Sequence, residues 1–214
     1  MIINHKYKFI FIHVPKCAGT SIKRALYPYC NKHDQFFGGH PDVPEDNNEI
    51  SKHSTAMEIK SFATEEKWKD YYSFAFVRSP IDRMISLYNW WHHTDGLFDL
   101  KKKEAICSMT FEEFVFSETT GPSMLSSLIS KDVKDSFVSG ERRIELDFIG
   151  RQESLGKDFG YICGLLGLPN IPLKRYNKSK DSLVHLDKID KKTIREIKRK
   201  YHEDFECFYP NLLD

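Results

Sequence analysis

An α/β fold with a mostly parallel central sheet flanked by helices follows from three features of the sequence. Two apolar runs, Phe9-Ile10-Phe11-Ile12-His13-Val14 and Tyr72-Ser73-Phe74-Ala75-Phe76-Val77, are aromatic and β-branched and have the length of buried strands. Each stops at a short loop and passes into a segment with helical spacing. Late in the chain Glu145-Leu146-Asp147-Phe148-Ile149 offers a third strand, again followed by a helical pattern. Strands that alternate with helices pair in parallel and are covered on both faces.

The first run ends at Pro15-Lys16-Cys17-Ala18-Gly19-Thr20-Ser21, ahead of a helical stretch from Ile22 to Leu26. Residues 31–48 are rich in Gly, Pro, Asn and Asp and read as a long surface loop. Thr55-Ala56-Met57-Glu58 is a capping box, in which Thr55 and Glu58 satisfy free amides at a helix start. His53 lies in the loop just ahead of it. After Arg78-Ser79-Pro80, the residues Ile81, Met84, Ile85 and Tyr88 share one helical face. Thr110-Phe111-Glu112-Glu113 is a second capping box, and residues 119–140 carry no clear pattern. Phe159, Ile162, Cys163 and Leu166 have helical spacing, and one closing helix is expected to present Ile194, Ile197, Tyr201, Phe205 and Phe208.

A chain of 214 residues with 40% apolar content is long enough to bury about 70% of its unfolded surface, so a single domain over 1–214 is expected. Its net charge of +1 supplies no global field toward nucleic acid, and any anion binding must be local. The five cysteines are odd in number and never in a Cys-x-x-Cys pair, which argues against a zinc site or disulfide framework and for a reducing compartment. The first apolar run is far short of the roughly 20 residues that span a bilayer, so a soluble chain without a transmembrane segment is expected. Oligomeric state is left open.

The chemistry concentrates in the two loops that follow the first strands, the end of a parallel sheet where ligands bind. Lys16 through Ser21 has what a phosphate cradle requires: small residues that let amides approach an anion, hydroxyls at a helix start, and one lysine. The glycine spacing of a Walker A loop is missing. An ordinary turn capped by Thr20 or Ser21 is the alternative. Arg78, at the end of the second strand, can clamp a phosphate with its planar fork, and a serine on the following helix can add a bond. The alternative for Arg78 is a surface pair with an acid.

Together, Phe11 to Ser21 and Val77-Arg78-Ser79-Pro80-Ile81-Asp82-Arg83-Met84-Ile85-Ser86-Leu87-Tyr88 resemble the sulfotransferases, more closely their carbohydrate branch, which includes heparan and dermatan 2-O-sulfotransferases. The resemblance implies a P-loop-like three-layer fold and 3′-phosphoadenosine 5′-phosphosulfate (PAPS) as donor, with 3′-phosphoadenosine 5′-phosphate (PAP) as product. It assigns Lys16, Cys17, Ala18, Gly19, Thr20 and Ser21 to the 5′-phosphosulfate, and Arg78 and Ser86 to the 3′-phosphate. Weaker echoes are Ile149-Gly150-Arg151-Gln152-Glu153 and Arg175-Tyr176-Asn177-Lys178-Ser179. It also implies a hydroxyl acceptor, a saccharide before a small alcohol, phenol or lipid-linked glycan. The animal members are Golgi-anchored, so a chain without an anchor is expected to be a bacterial-type cytoplasmic enzyme or a trimmed Golgi-type one.

In-line transfer to a hydroxyl needs charge stabilisation on the leaving oxygen, assigned to Lys16, and profits from a general base. Lys52-His53-Ser54-Thr55-Ala56 resembles the family segment that carries the catalytic histidine, which makes His53 the candidate base. His13 is expected to be a satisfied core or site-wall group, and Trp90 and Trp91 to serve the core before a sugar. His33 and His40 lack metal-ligand spacing, and no metal is expected. The cations of Lys101-Lys102-Lys103 and 191–200 read as solvated faces. Two other functions compete: a P-loop kinase-like nucleotide enzyme, distinguished by magnesium dependence, and a binding module without turnover.

Overall fold

The computed structural model describes residues 1–37, 50–94, 99–128, 146–174 and 182–213. The chain forms two compact units, one of Met1–Val77 with Met124–Tyr176 and one of Arg78–Ser123 with Asn177–Asp214.

The first unit is built on a five-stranded sheet with the order β3, β1, β2, β4, β5, from β1 (Ile2–Asn4), β2 (Phe9–Ile12), β3 (Gln35–Phe36), β4 (Tyr72–Val77) and β5 (Phe148–Arg151). The predicted strands β2, β4 and β5 pair in parallel, with Ile12 opposite Ala75 and Val77 opposite Arg151. The last of them begins three residues later than expected and ends two later, because Asp147 is spent fixing its start: Oδ2 accepts from the Ser73 amide (2.7 Å) and hydroxyl (2.8 Å). Strand β1 pairs antiparallel with both β2 and β3, so β1 alone runs against the other four.

Both faces of the central strands are buried, as a sheet flanked by helices requires. On one face Phe9, Phe11, Phe74 and Phe76 pack with Ile22 and Leu26 of α1 (Gly19–Leu26) and with residues 159–168. The alternate residues Ile10, Ile12, Ala75 and Val77 are fully covered too. Helices α2 (Ala56–Ala63) and α3 (Glu65–Asp70) follow the loop that carries His53, and α3 packs on β4. Thr55 and Glu58 make the predicted capping box on α2.

The second unit is helical. Helix α4 (Pro80–His93) packs with α5 (Leu100–Cys107), α6 (Phe111–Phe116) and, after the short first-unit helix α7 (Met124–Leu128) and α8 (Leu155–Leu165), with α9 (Lys191–Lys200). The second predicted capping box, Thr110 with Glu113, opens α6. Trp91 is buried against Trp90 at 5.0 Å, a core role as expected. The closing segment is two helices rather than one, α9 and α10 (His202–Phe208). They part at Tyr201, whose buried hydroxyl donates toward the carbonyls of Thr120 and Gly121, both at 3.1 Å, and whose backbone leaves helical geometry (φ −115°, ψ 29°). The expected apolar face survives the break, since Ile197, Tyr201, Phe205 and Phe208 are buried.

Candidate active site

The loop between β2 and α1 is strained where an anion cradle would need it. Lys16 (φ 67°) and Ala18 (φ 64°) both take the left-handed conformation, which is uncommon for residues other than glycine. Left-handed residues on either side of Cys17 turn successive amides toward one side, the geometry of an anion nest. Ala18 caps α1 with no side-chain bond, so the alternative of a turn capped by Thr20 or Ser21 is not what forms. The Ala18 carbonyl accepts from the amides of Ser21 (3.0 Å) and Ile22 (3.3 Å). Among the described residues the amides of Ala18, Gly19 and Thr20 meet no acceptor, which leaves three donors at a helix N-terminus for a ligand.

Cys17 anchors this loop from below. Its side chain is buried, with the thiol 3.5 Å from the Pro15 carbonyl and 3.6 Å from the Met124 sulfur. Its amide donates to the Val14 carbonyl (3.4 Å), so thiol and amide alike have partners within the protein.

His53 is fixed by a tight turn. The Ser54 hydroxyl accepts from the Ser51 amide (2.9 Å), the Ser51 hydroxyl accepts from the His53 amide (3.2 Å), and the capping box of α2 begins two residues later. The His53 Nδ1 lies 3.3 Å from the carbonyl oxygen of His13. A carbonyl only accepts, so Nδ1 carries the proton and Nε2 of the neutral ring keeps its lone pair. Packing against the protein lowers the His53 pKa to about 4, with desolvation the main cause and the bond to the His13 carbonyl opposing it. His53 is neutral at pH 7, and solvent at its open side leaves it able to take up a proton.

Sequence reasoning gave His13 too bland a part. It is 5% exposed, as a site-wall group should be, but it is not a satisfied one: Nδ1 has no hydrogen-bond partner among the described residues. Burial drives its pKa well below the ordinary histidine value. Its ring stands edge-on to that of His53 at 4.9 Å and 75°, and a Cβ on Gly19 would overlap it. The signal in the sequence was its place at the end of a strand, three residues before Lys16.

The first unit therefore brings together the Lys16 loop, the start of α1, His13 and His53. Arg78 and Ser86 belong to the second unit. Arg78 directly follows β4 and is half-buried, and Ser86 is half-buried on α4. One turn along α4, the Asn89 side chain holds Leu183 and Ser182, accepting from the Leu183 amide (2.9 Å) and donating to the Ser182 hydroxyl (3.1 Å). Arg83, in the same motif, is structural: it is 2% exposed, donates to the Pro122 carbonyl (2.8 Å) and lies 5.7 Å from the Tyr201 ring. Gly150 of the Ile-Gly-Arg echo packs under the Phe76 ring, where a Cβ would not fit. His40 and the stretch 175–179 lie outside the described residues. Among the described residues no group of three or more His, Cys, Asp or Glu side chains is placed to hold a metal.

The parallel strands of an α/β sheet thus carry, in the β2–α1 loop, a lysine and three amides without an acceptor among the described residues, with a neutral imidazole in the same unit. The chain belongs to the sulfotransferase family, whose model, described as Sulfotransferase family, matches residues 1–210. It is similar to carbohydrate sulfotransferase 10 of Xenopus laevis, at 23% identity over 97% of this chain and 66% of that protein. The proteins of the same name from Danio rerio and Rattus norvegicus are both 24% identical, over 96% and 95% of this chain and 65% and 64% of theirs. The chain thus spans just under two thirds of the length of these relatives. No solved structure matches it significantly. Among the described residues no helix is long and apolar enough to cross a membrane.

Proposed function

We propose that this protein transfers a sulfuryl group from PAPS to a hydroxyl of a saccharide, with His53 as general base. The observation that carries this reading is the presence, in one unit, of a loop with free amides and an imidazole whose Nε2 is left as a base. The donor set suits the 5′-phosphosulfate: amides of Ala18, Gly19 and Thr20, the hydroxyls of Thr20 and Ser21, and the Lys16 ammonium. Bound PAPS supplies an activated sulfuryl group. His53 Nε2 removes the acceptor's proton as the hydroxyl oxygen forms its bond to sulfur. The bond from sulfur to the bridging phosphate oxygen breaks, Lys16 and the amides hold the charge that develops on that oxygen, and PAP leaves. Arg78 and Ser86 bind the 3′-phosphate, and the reading of residues 1–214 as one sulfotransferase domain is supported by a family match that runs through residues 1–210.

The relatives' names support a saccharide acceptor. None of the five cysteines forms a disulfide, which supports a reducing compartment. The test is calorimetric titration with PAP, with and without magnesium, and with ADP as the control that lacks a 3′-phosphate. Micromolar or tighter binding that needs no magnesium and that ADP cannot match is expected. Equal binding of ADP overturns the assignment of the 3′-phosphate site.

A further inference from the structure

We infer that His13 is a positioning residue for this chemistry, seating the His53 ring through its carbonyl on one side and its own imidazole on the other. The inference rests on the reading of His53 as the base.

Three geometric facts carry it. The His13 carbonyl meets His53 Nδ1 at 3.3 Å, which sets the tautomer. The two rings stand edge to face at 4.9 Å and 75°, which limits the tilt and swing of an imidazole whose other side is open to solvent. The His13 ring is itself immobilised, being 5% exposed and pressed against Gly19 at the start of α1. The ring that steadies the base is therefore wedged against the anion loop, and the two halves of the proposed site keep a fixed spacing.

The identity of the residue follows from the same contacts. The fit over Gly19 leaves no slack, and imidazole is the smallest aromatic ring, so Phe or Tyr would not fit without displacing the loop. The arrangement bears a cost, since a buried Nδ1 without a partner opposes folding. An aliphatic side chain of similar volume would avoid that cost but could not present an edge-to-face contact.

The groups that face His53 are consistent with a base kept unprotonated at rest. They are His13 at the end of β2, whose carbonyl favours a protonated ring, and the Met1 amino group beside β1, Lys23 of α1 and its own neighbour Lys52, which together with burial disfavour it. Removing the His13 ring leaves the cations but opens His53 to water, which relieves the larger cause of its lowered pKa.

The experiment compares wild type with His13→Leu, which keeps volume, and His13→Ala, by nuclear magnetic resonance titration of His53 and by turnover at saturating PAPS. In wild type the His53 resonances should report the Nδ1–H tautomer and a midpoint well below the ordinary value. In His13→Ala, which opens His53 to water, the midpoint should rise; in both variants kcat should fall by roughly tenfold or more as the base loses its orientation, and PAP affinity should change by less than about threefold. An unmoved His53 midpoint with unchanged kcat overturns the inference. So does a loss of PAP affinity that matches the loss of kcat, which would make His13 a support of the anion loop alone. Failure of the parent reading is distinguished by His53→Ala: if that variant keeps full turnover, His53 is not the base, whatever the titration of the His13 variants shows.

Discussion

Gly19 lies so close to the imidazole of His13 that the first atom of any side chain at position 19 would enter the ring. The helix start and the strand end are thereby locked together at the anion loop. Gly19→Ala must push His13 away or unseat α1, and overpacking of this kind costs about 1–3 kcal/mol. The expected outcome is a lower urea midpoint together with weaker PAP binding. The glycines of α8 are a control of the opposite sign. Gly160 faces open space without a left-handed backbone, and Gly160→Ala should stabilise by roughly 0.5–1 kcal/mol through helix propensity and a less flexible unfolded chain.

The pH dependence of stability follows from the two histidines. Both have folded-state pKa values below the unfolded value, that of His53 at about 4 and that of His13 held well below the ordinary histidine value by burial. Above the unfolded value of about 6.5 both are neutral in either state and the native fold keeps its full stability. As pH falls below it the unfolded chain takes up protons that the native chain refuses, so stability falls with pH, and for His53 the loss levels off near 4. Thermal unfolding from pH 7.5 to 4.5 should show this decline, smaller in His53→Gln. In activity, the acid limb governed by His53 should lie well below the ordinary histidine value, and a limb near 6.5 would contradict the packing that lowers it.

The capping box on α2 bears on His53, because Thr55 sits two residues after it. The Thr55 amide donates to Glu58 Oε2 (2.6 Å) and the Glu58 amide donates back to Thr55 Oγ1 (3.3 Å). Thr55→Ala should cost about 1 kcal/mol, read as a shift in chemical unfolding. Thr110→Ala, at the equivalent cap of α6 in the second unit, should cost a similar amount while leaving His53 titration unmoved.

The parts of the fold that sequence pattern could reach are those whose signal is local. Strands β2 and β4 announce themselves because aromatic and β-branched residues dominate two six-residue runs, four in succession in the first and interleaved with Ser73 and Ala75 in the second, and both capping boxes because their partners are three residues apart. Strands β1 and β3 hold three and two residues, too few for any period to show, and they exist by pairing with neighbours distant in the chain. In the site, Lys16 and the small residues after it were legible as a cradle, but nothing in Lys16 or Ala18 as residue types reveals a left-handed backbone. The bond between His53 and the His13 carbonyl spans 40 residues, and the unpartnered Nδ1 of His13 is a property of what surrounds it. Tyr201 had the spacing of an unbroken helix, and only its anchorage to Thr120 and Gly121 explains the break.

That anchorage can be tested without reference to activity. The Tyr201 hydroxyl donates in a buried setting to two carbonyls of the segment that closes the second unit around Arg83, which itself holds the adjacent Pro122 carbonyl. Tyr201→Phe keeps the ring beneath the guanidinium and removes only the hydroxyl, so the loss should be about 0.5–1.5 kcal/mol, the net worth of such a bond. Tyr201→Ala also removes the ring and opens a cavity, and should cost about 3–5 kcal/mol.

The assignment of Arg78 to the 3′-phosphate gives the sharpest test of the second unit. An arginine bond to a phosphate is charge-assisted on both sides, and removing one such partner costs about 1.5–3 kcal/mol, or roughly 10- to 100-fold in affinity. Arg78→Ala should therefore weaken PAP by that factor while hardly affecting ADP, so the preference between them collapses. Arg78→Lys should recover only part of it, since an ammonium keeps the charge and loses the planar fork. Ser86→Ala should lose a smaller amount in the same direction. Isothermal titration of the four proteins with both nucleotides decides the matter: if PAP and ADP weaken together in Arg78→Ala, the guanidinium does not read the 3′-phosphate, and the site for that group must be sought elsewhere.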